Sequence, residues 1–191
     1  DVSLVGSEMC IRDRNKTDLI EQLIAGEKQV SLANYEPKKG FNLDNVECEI
    51  SDDGKVSGLK TTVLNAPNAD LFLVFGKHKS GFAFALISKG AEGSKVTTYK
   101  TYDGFVSGDL LLENCKAEAV FSKSDALEIL HQAILEGIIC VSSEAIGAME
   151  TCYKLTIEYT QQREQFGQSL SKFQALQHRI CLLYTSPSPR D

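Results

Sequence analysis

Several absences bound the reading of this 191-residue sequence before any motif does. No long run of one charge sign occurs and the net charge is -6, so the clustered Lys and Arg of a nucleic-acid surface are missing. No apolar stretch reaches the roughly 18–20 residues that a membrane-spanning helix needs; the longest candidates, such as Ala69–Phe75 and Ile138–Val141, are core-sized. The six cysteines, at 10, 48, 115, 140, 152 and 181, form no CxxC pair, and the three histidines lie far from them in sequence. A zinc site or a disulfide framework is therefore not expected, and free thiols in a reducing cytoplasm are. The chain opens with Asp1 and lacks a basic region followed by an apolar core, so its start does not read as a signal peptide. What remains is an ordinary soluble composition, 42% hydrophobic and 24% charged, enough for one sizeable core or two small ones.

Both ends are set aside. Asp1–Arg14 and Cys181–Asp191 resemble translated sequencing-adapter read-through, and Pro187 and Pro189 would break any helix running into the end. Between them the pattern changes twice. Leu19, Ile20, Leu23 and Ile24 sit at helical spacing behind a Thr17 cap and ahead of a Gly26 stop, so residues 15–28 read as the end of a helical domain. From Gln29 to about 122, short runs rich in β-branched and aromatic residues are separated by turn signals at 51–54, 65–68, 78–81 and 92–94. Strands are expected at 30–34, 46–50, 60–64, 71–75, 82–87, 96–100 and 108–112, forming an antiparallel barrel or sandwich. From 123 to 180 the period is helical: Asp125 and Glu128 mark a start, and Leu130, Ile134, Ile138, Val141, Ala145, Met149, Cys152, Thr156 and Tyr159 form one stripe. The stripe predicts a helix of roughly 38 residues, about 57 Å long, of the kind found in bundles. Gly167 marks its stop, and Ser171 with Gln174 announces a further helix through a capping box.

Three motifs carry a resemblance. Arg163-Glu164-Gln165-Phe166-Gly167 is followed by Phe173-Gln174. Gly58-x-Lys60 leads to Asn65-x-x-x-Ala69-Asp70, and Glu36-Pro37 precedes both. Their order and spacing resemble the acyl-CoA dehydrogenase family, whose patterns are R-x-x-F-G with a later Gln, G-x-K-x-x-I-T-N-G-x-x-A-D, and T-E-P. Residues 63–65 and 173–179 are similar to the small-subunit, pimeloyl-CoA dehydrogenase-like branch. The resemblance implies an α+β fold: the end of an N-terminal α domain, a central antiparallel β-barrel and the start of a C-terminal helical bundle. It also implies FAD, an acyl-CoA substrate, a homo- or hetero-tetramer, an electron acceptor such as an electron-transfer flavoprotein, and no metal.

Site residues follow from the same resemblance. Arg163 is expected to reach a cofactor pyrophosphate, for which a guanidinium offers two parallel hydrogen bonds; by itself it would read as a cation at a helix C-terminus. Phe166 is expected to press against the cofactor, although alone it reads as a core contact between helices. Gln174 is expected to touch FAD, in competition with its capping role. Thr62 and Leu64 hold the places where the family commonly has an aromatic against the flavin and a Thr hydroxyl near its reactive nitrogen. Leu64 cannot donate that hydrogen bond. Tyr35 and Phe41 stand at two further side-chain positions of the family's flavin site, so side-chain contacts there are not assumed.

The implied reaction is α,β-dehydrogenation of an acyl-CoA thioester, with a carboxylate removing the α-proton. That Glu is expected beyond residue 191. Some members carry it on the long helix, where this chain has Gly137; the adjacent Glu136 is rotated by about 100° and is not nominated. The family's substrate-holding Arg falls near Ile138. Two alternatives stay open: a non-catalytic FAD-binding subunit of a heteromeric complex, and a flavin-dependent oxidase or hydroxylase on the same fold.

Overall fold

The computed structural model describes residues 18–40, 42–122 and 125–185. These fall into two compact units, the first ending at Leu130 and the second beginning at His131.

The first unit opens with a helical segment, α1, over residues 18–24. The amide of Ala25 donates to the Glu21 carbonyl and that of Gly26 to Leu23, while Gly26 takes a φ of 74°, a conformation that costs glycine little. The expected stop is where it was placed. Eight strands follow: β1 (Val30–Ala33), β2 (Glu49–Ile50), β3 (Lys55–Leu64), β4 (Leu71–His78), β5 (Gly81–Ser88), β6 (Ser94–Lys100), β7 (Val106–Lys116) and β8 (Ala119–Ser122). They form one sheet in the order β6-β7-β3-β2-β4-β5-β8, with β1 also paired to β4.

Most neighbours are antiparallel, as expected for the barrel, with a local departure at β4. Its start pairs in parallel with β1 (Val30↔Leu71) and its end in parallel with β2 (Glu49↔Lys77). The two short strands share one edge of β4, so each can be only a few residues long. The sequence runs LFLVF on β4 and FAFALI on β5 lack a clean alternation because both faces are covered. Phe72, Val74, Phe75, Ala83, Ala85 and Ile87 are all fully buried, and Phe75 lies 5.3 Å from Phe82 and 5.2 Å from Phe84 between ring centroids. Strand β8 was not anticipated; its four residues, AVFS, give too short a pattern to register, and its place comes from pairing with β5 (Phe84↔Phe121).

The second unit consists of most of α2 (Ala126–Gln162), a short hairpin of β9 (Glu164–Gln165) and β10 (Gln168–Ser169), a 3-10 turn (Leu170–Lys172) and α3 (Gln174–Thr185). Helix α2 has 37 residues, about 55 Å at 1.5 Å per residue, close to the expected length. It ends at Gln162 rather than at Gly167. The predicted stripe is buried at Leu130 and uncovered from Ile138 onward: Val141 is 65% exposed, and Ile138, Met149 and Tyr159 are similarly bare. By length and composition alone α2 could cross a membrane, contrary to the expectation drawn from unbroken runs. The helix interrupts its apolar residues with Glu136, Ser142, Ser143 and Glu144, which hides the average from a search for uninterrupted stretches. The core helix of a soluble protein passes the same test. Helix α3 continues through Cys181–Thr185, into the stretch set aside as adapter-like, and Tyr184 stacks on Tyr153 at 5.9 Å.

Candidate functional site

Strand β3 carries the second motif, and its geometry turns on one irregularity. Lys60 pairs with Leu110 and Val63 with Gly108, so Thr61 and Thr62 together oppose the single residue Asp109. This β-bulge re-phases the strand. Lys60 and Val63 are three apart and would face opposite sides of a regular strand, yet both are buried. Thr62 sits at the bulge with φ 54°, a left-handed conformation that a β-branched residue adopts only when its surroundings impose it. Its amide donates to Asp109 Oδ1 at 3.2 Å, and Tyr99 Oη donates to the same oxygen at 2.9 Å. The Thr61 amide donates to the Tyr35 carbonyl at 2.9 Å. Thr62 and Leu64 therefore both reach solvent, Leu64 at 64% exposure. Opposite Leu64 stands Ser107, fully buried, whose hydroxyl has no partner among the described residues.

The rest of the motif holds the fold. Lys60 is 0% exposed, which a lysine tolerates only with a partner, and its Nζ lies 2.7 Å from Glu36 Oε1. Glu36 also accepts from the amides of Glu47 at 2.6 Å and Cys48 at 2.9 Å. Burial alone would raise its pKa; the Lys60 hydrogen bond, the two amides and the Lys60 charge outweigh it and hold the carboxyl below its ordinary value. The pKa of the buried Cys48 thiol is pushed up by desolvation to about 11, which makes it inert. Gly58 is needed for space: a Cβ there would stand 2.8 Å from the Cys48 Cα. Asn65, at φ 56°, forms the turn after β3, Ala69 is fully buried, and Asp70 Oδ2 receives the Gln29 amide at 2.8 Å ahead of β1. Glu36 and Lys60 were read as pattern residues only; two charged residues 24 apart in a strand-rich stretch give no local sign that they will meet.

In the second unit the R-x-x-F-G motif builds a hairpin. Arg163 follows the last residue of α2 and its carbonyl accepts the Leu170 amide at 2.8 Å, closing the base. Gln165 pairs with Gln168, leaving Phe166 and Gly167 as a two-residue loop with φ 54° and 77°. Two successive positive φ values define the turn whose twist suits a tight hairpin. Glycine accepts this; a phenylalanine in the left-handed region costs roughly 1–2 kcal/mol. Phe166 is 91% exposed and touches Phe173 edge-on at 6.2 Å, so it is not the core contact between helices that its type alone suggests. The Arg163 side chain is exposed, with no ion pair among the described residues. Gln174 is the first residue of α3 and exposed.

The expected capping box is not formed. Ser171 lies inside the 3-10 turn, with its Oγ 2.7 Å from Ser169 Oγ and its carbonyl accepting from Gln177 Nε2 at 2.8 Å. Gln174 is thereby spared the role that competed with ligand contact. On α2, Glu136 Oε1 accepts from Gln132 Nε2 at 3.0 Å, an exposed pairing along the helix surface.

The structure thus groups Thr62 with Leu64 in one unit, and Arg163 with Phe166 and Gln174 in the other. Phe41 and Thr17 lie outside the described residues. No disulfide joins the described cysteines, and no group of three metal-ligating side chains occurs among the described residues. Two cavities, of about 460 and 590 Å³, lie away from all five predicted site residues. Both are in the first unit, one beneath α1 beside Leu71 and Leu86, the other beside Asp52 and His78.

Comparison with known proteins agrees with this geometry. Residues 127–186 match the family model "Acyl-CoA dehydrogenase, C-terminal domain". The 3-(aryl)acrylate reductase of Clostridium sporogenes is 27% identical over 96% of this chain and 53% of its own length. The mitochondrial isovaleryl-CoA dehydrogenase of Oryza sativa is 26% identical over 90% of this chain and 45% of its own. Among solved structures, acyl-CoA dehydrogenase from Geobacillus kaustophilus superposes with a TM-score of 0.82 at 24% identity, over 90% of this chain and 50% of that one. PigA with FAD and proline also gives 0.82, at 23% identity, over 90% and 48%. The fold is accordingly that of the acyl-CoA dehydrogenases. The resemblance read from the three motifs is matched by the family model over residues 127–186 and by relatives at 26–27% identity. The chain spans about half the length of the curated relatives it matches.

Proposed function

We propose that this chain supplies part of the FAD site of an enzyme that introduces an α,β double bond into an acyl-CoA thioester. The observation that carries the reading is the hairpin at 163–169. It displays an unpaired guanidinium and an exposed aromatic ring, the latter held in a strained conformation that no packing within the hairpin repays. A guanidinium so placed suits a pyrophosphate, and the ring suits a flat heterocycle. On the other unit, the exposed Thr62 and Leu64 offer a polar and an apolar contact for a flavin ring. These residues fit FAD, and PigA, of the same fold, is solved with it.

When bound, FAD supplies the acceptor for the hydride lost from the β-carbon while a carboxylate takes the α-proton. This chain's part is to grip and orient, each unit by itself: in the helical unit Arg163 suits a diphosphate and Phe166 and Gln174 a nucleotide, and in the strand unit Thr62 and Leu64 suit a flavin ring. Fatty or dicarboxylic acyl groups, a tetrameric assembly, an electron-transfer flavoprotein as acceptor and a cytoplasmic location complete the proposal.

Replacing Arg163 with Ala in the full-length polypeptide is expected to lower FAD retention about tenfold or more after gel filtration, read from flavin absorbance. Unchanged flavin content would reduce Arg163 to a helix-end charge and remove the main support of this reading.

A second reading is favoured by one specific observation: Gly137 and Ile138 stand where some members of the family carry a helix-borne base and where it commonly has its substrate-holding Arg, and Glu136 is engaged with Gln132. On it the chain binds FAD while a partner subunit performs the chemistry. Turnover by the purified full-length subunit alone would reject it.

A further inference from the structure

We propose that the buried Glu36–Lys60 pair and Asp109 act as an inner and an outer clamp on the Thr61–Thr62 bulge, and that this clamp positions the flavin-facing residues. The inference rests on the flavin reading above and names the positioning residues of that site.

The geometry leads there in three steps. The Glu36 carboxylate gathers three donors from two separate segments: the amides of Glu47 and Cys48 ahead of β2, and Lys60 Nζ from β3. One residue before Glu36, the Tyr35 carbonyl accepts the Thr61 amide at 2.9 Å, so the loop that bears Glu36 also touches the bulge itself. Lys60 can point inward together with Val63 only if one extra residue is inserted between them, and that insertion is the bulge. On the outer side, Asp109 Oδ1 receives the Thr62 amide, and the Tyr99 hydroxyl fixes that carboxylate from β6.

Thr62 would not hold φ 54° by preference. Without the inner pair, nothing requires residue 60 to face the interior, and the strand is free to slip into regular alternation. A slip of one residue turns Thr62 and Leu64 toward the opposite face. The direction in which β3 presents these two residues is thus decided by a pair of charges that never reaches the ligand.

The test uses the full-length polypeptide. A double variant, Glu36→Gln with Lys60→Ser, keeps an oxygen for one of the two amides, which Glu36 binds through different carboxylate oxygens, and replaces the buried ammonium by a small side chain with no preference for the interior. The expected result is native far-UV circular dichroism, amide exchange at Thr62 at least tenfold faster in the apoprotein, and FAD dissociation at least tenfold faster with a shifted visible flavin band. Native exchange at Thr62, or wild-type FAD affinity and band shape, would overturn the proposal. Should the double variant not fold, Asp109→Ala decides, since it sits on the outer face and removes the acceptor of the Thr62 amide: faster Thr62 exchange and weaker FAD binding support the clamp, and wild-type values for both overturn it. If the wild-type polypeptide takes up no FAD while Thr62 exchange responds as expected, the clamp on the bulge stands and the flavin reading is what has failed.

Discussion

The strand unit and the helical unit handle their motif residues in opposite ways. In the strand unit, Gly58, Lys60, Asn65, Ala69 and Asp70 are nearly all consumed by the fold, filling space, pairing a charge or tying a turn to β1. In the helical unit, Arg163, Phe166 and Gln174 are held outward with little to satisfy them. A sequence pattern therefore mixes two kinds of constraint. Residues buried in an irregular strand are fixed because alternatives clash or leave a charge unpaired, whereas residues displayed on a strained turn are fixed by what they meet. The same contrast holds for packing: β4 and β5 are covered on both faces, while α2 presents apolar side chains on an open surface.

Substitutions can break or sharpen this contrast. The largest effect is expected for Lys60→Ala, which strands the buried Glu36 carboxylate; a loss of about 3–5 kcal/mol at neutral pH should appear in urea unfolding. The loss should shrink in acid. Glu36 has a depressed folded pKa, so its pairing stabilises the wild-type protein above the unfolded value near 4.5 and fades as pH falls through the lower folded value. Protonated Glu36 no longer needs Lys60, and unfolding curves for the two proteins should converge at low pH. If the difference were constant with pH, lost packing of the lysine stem would be the cause.

Next, Gly58→Ala forces a Cβ to within 2.8 Å of Cys48 backbone and is expected to cost about 1–3 kcal/mol of stability by the same measurement. A neutral result would mean that β2 can shift away from β3. The smallest effect is expected for Val141→Ser on α2, within about 0.5 kcal/mol in the 191-residue chain, because the side chain is already exposed. In the full-length polypeptide the same change should cost more if a bundle covers this face, so the difference between the two backgrounds measures that cover.

The positions of the motifs along the chain were legible because their signals are local. R-x-x-F-G places Arg, Phe and Gly within five residues of one turn, and a 37-residue helix with a three-and-four stripe reads as itself. The capping box was misread for the opposite reason: Ser171 and Gln174 have the right spacing, but Leu170–Lys172 form a 3-10 turn first, and Ser171 is spent on Ser169 and Gln177. The parallel pairings of β4 and the strand β8 depend on partners far along the chain, which no window of residues records.

By itself the sequence determined the order of the main elements and the long helix, and its motifs carry the resemblance to the acyl-CoA dehydrogenases. These follow from side-chain periodicity and from backbone preferences that act over a few residues. Only the tertiary structure decided that Glu36 and Lys60 meet, that Thr61 and Thr62 bulge to let them, and which way Thr62 and Leu64 then face. A buried charge must find its partner wherever the fold brings one, and strand register is set across neighbours rather than along the chain.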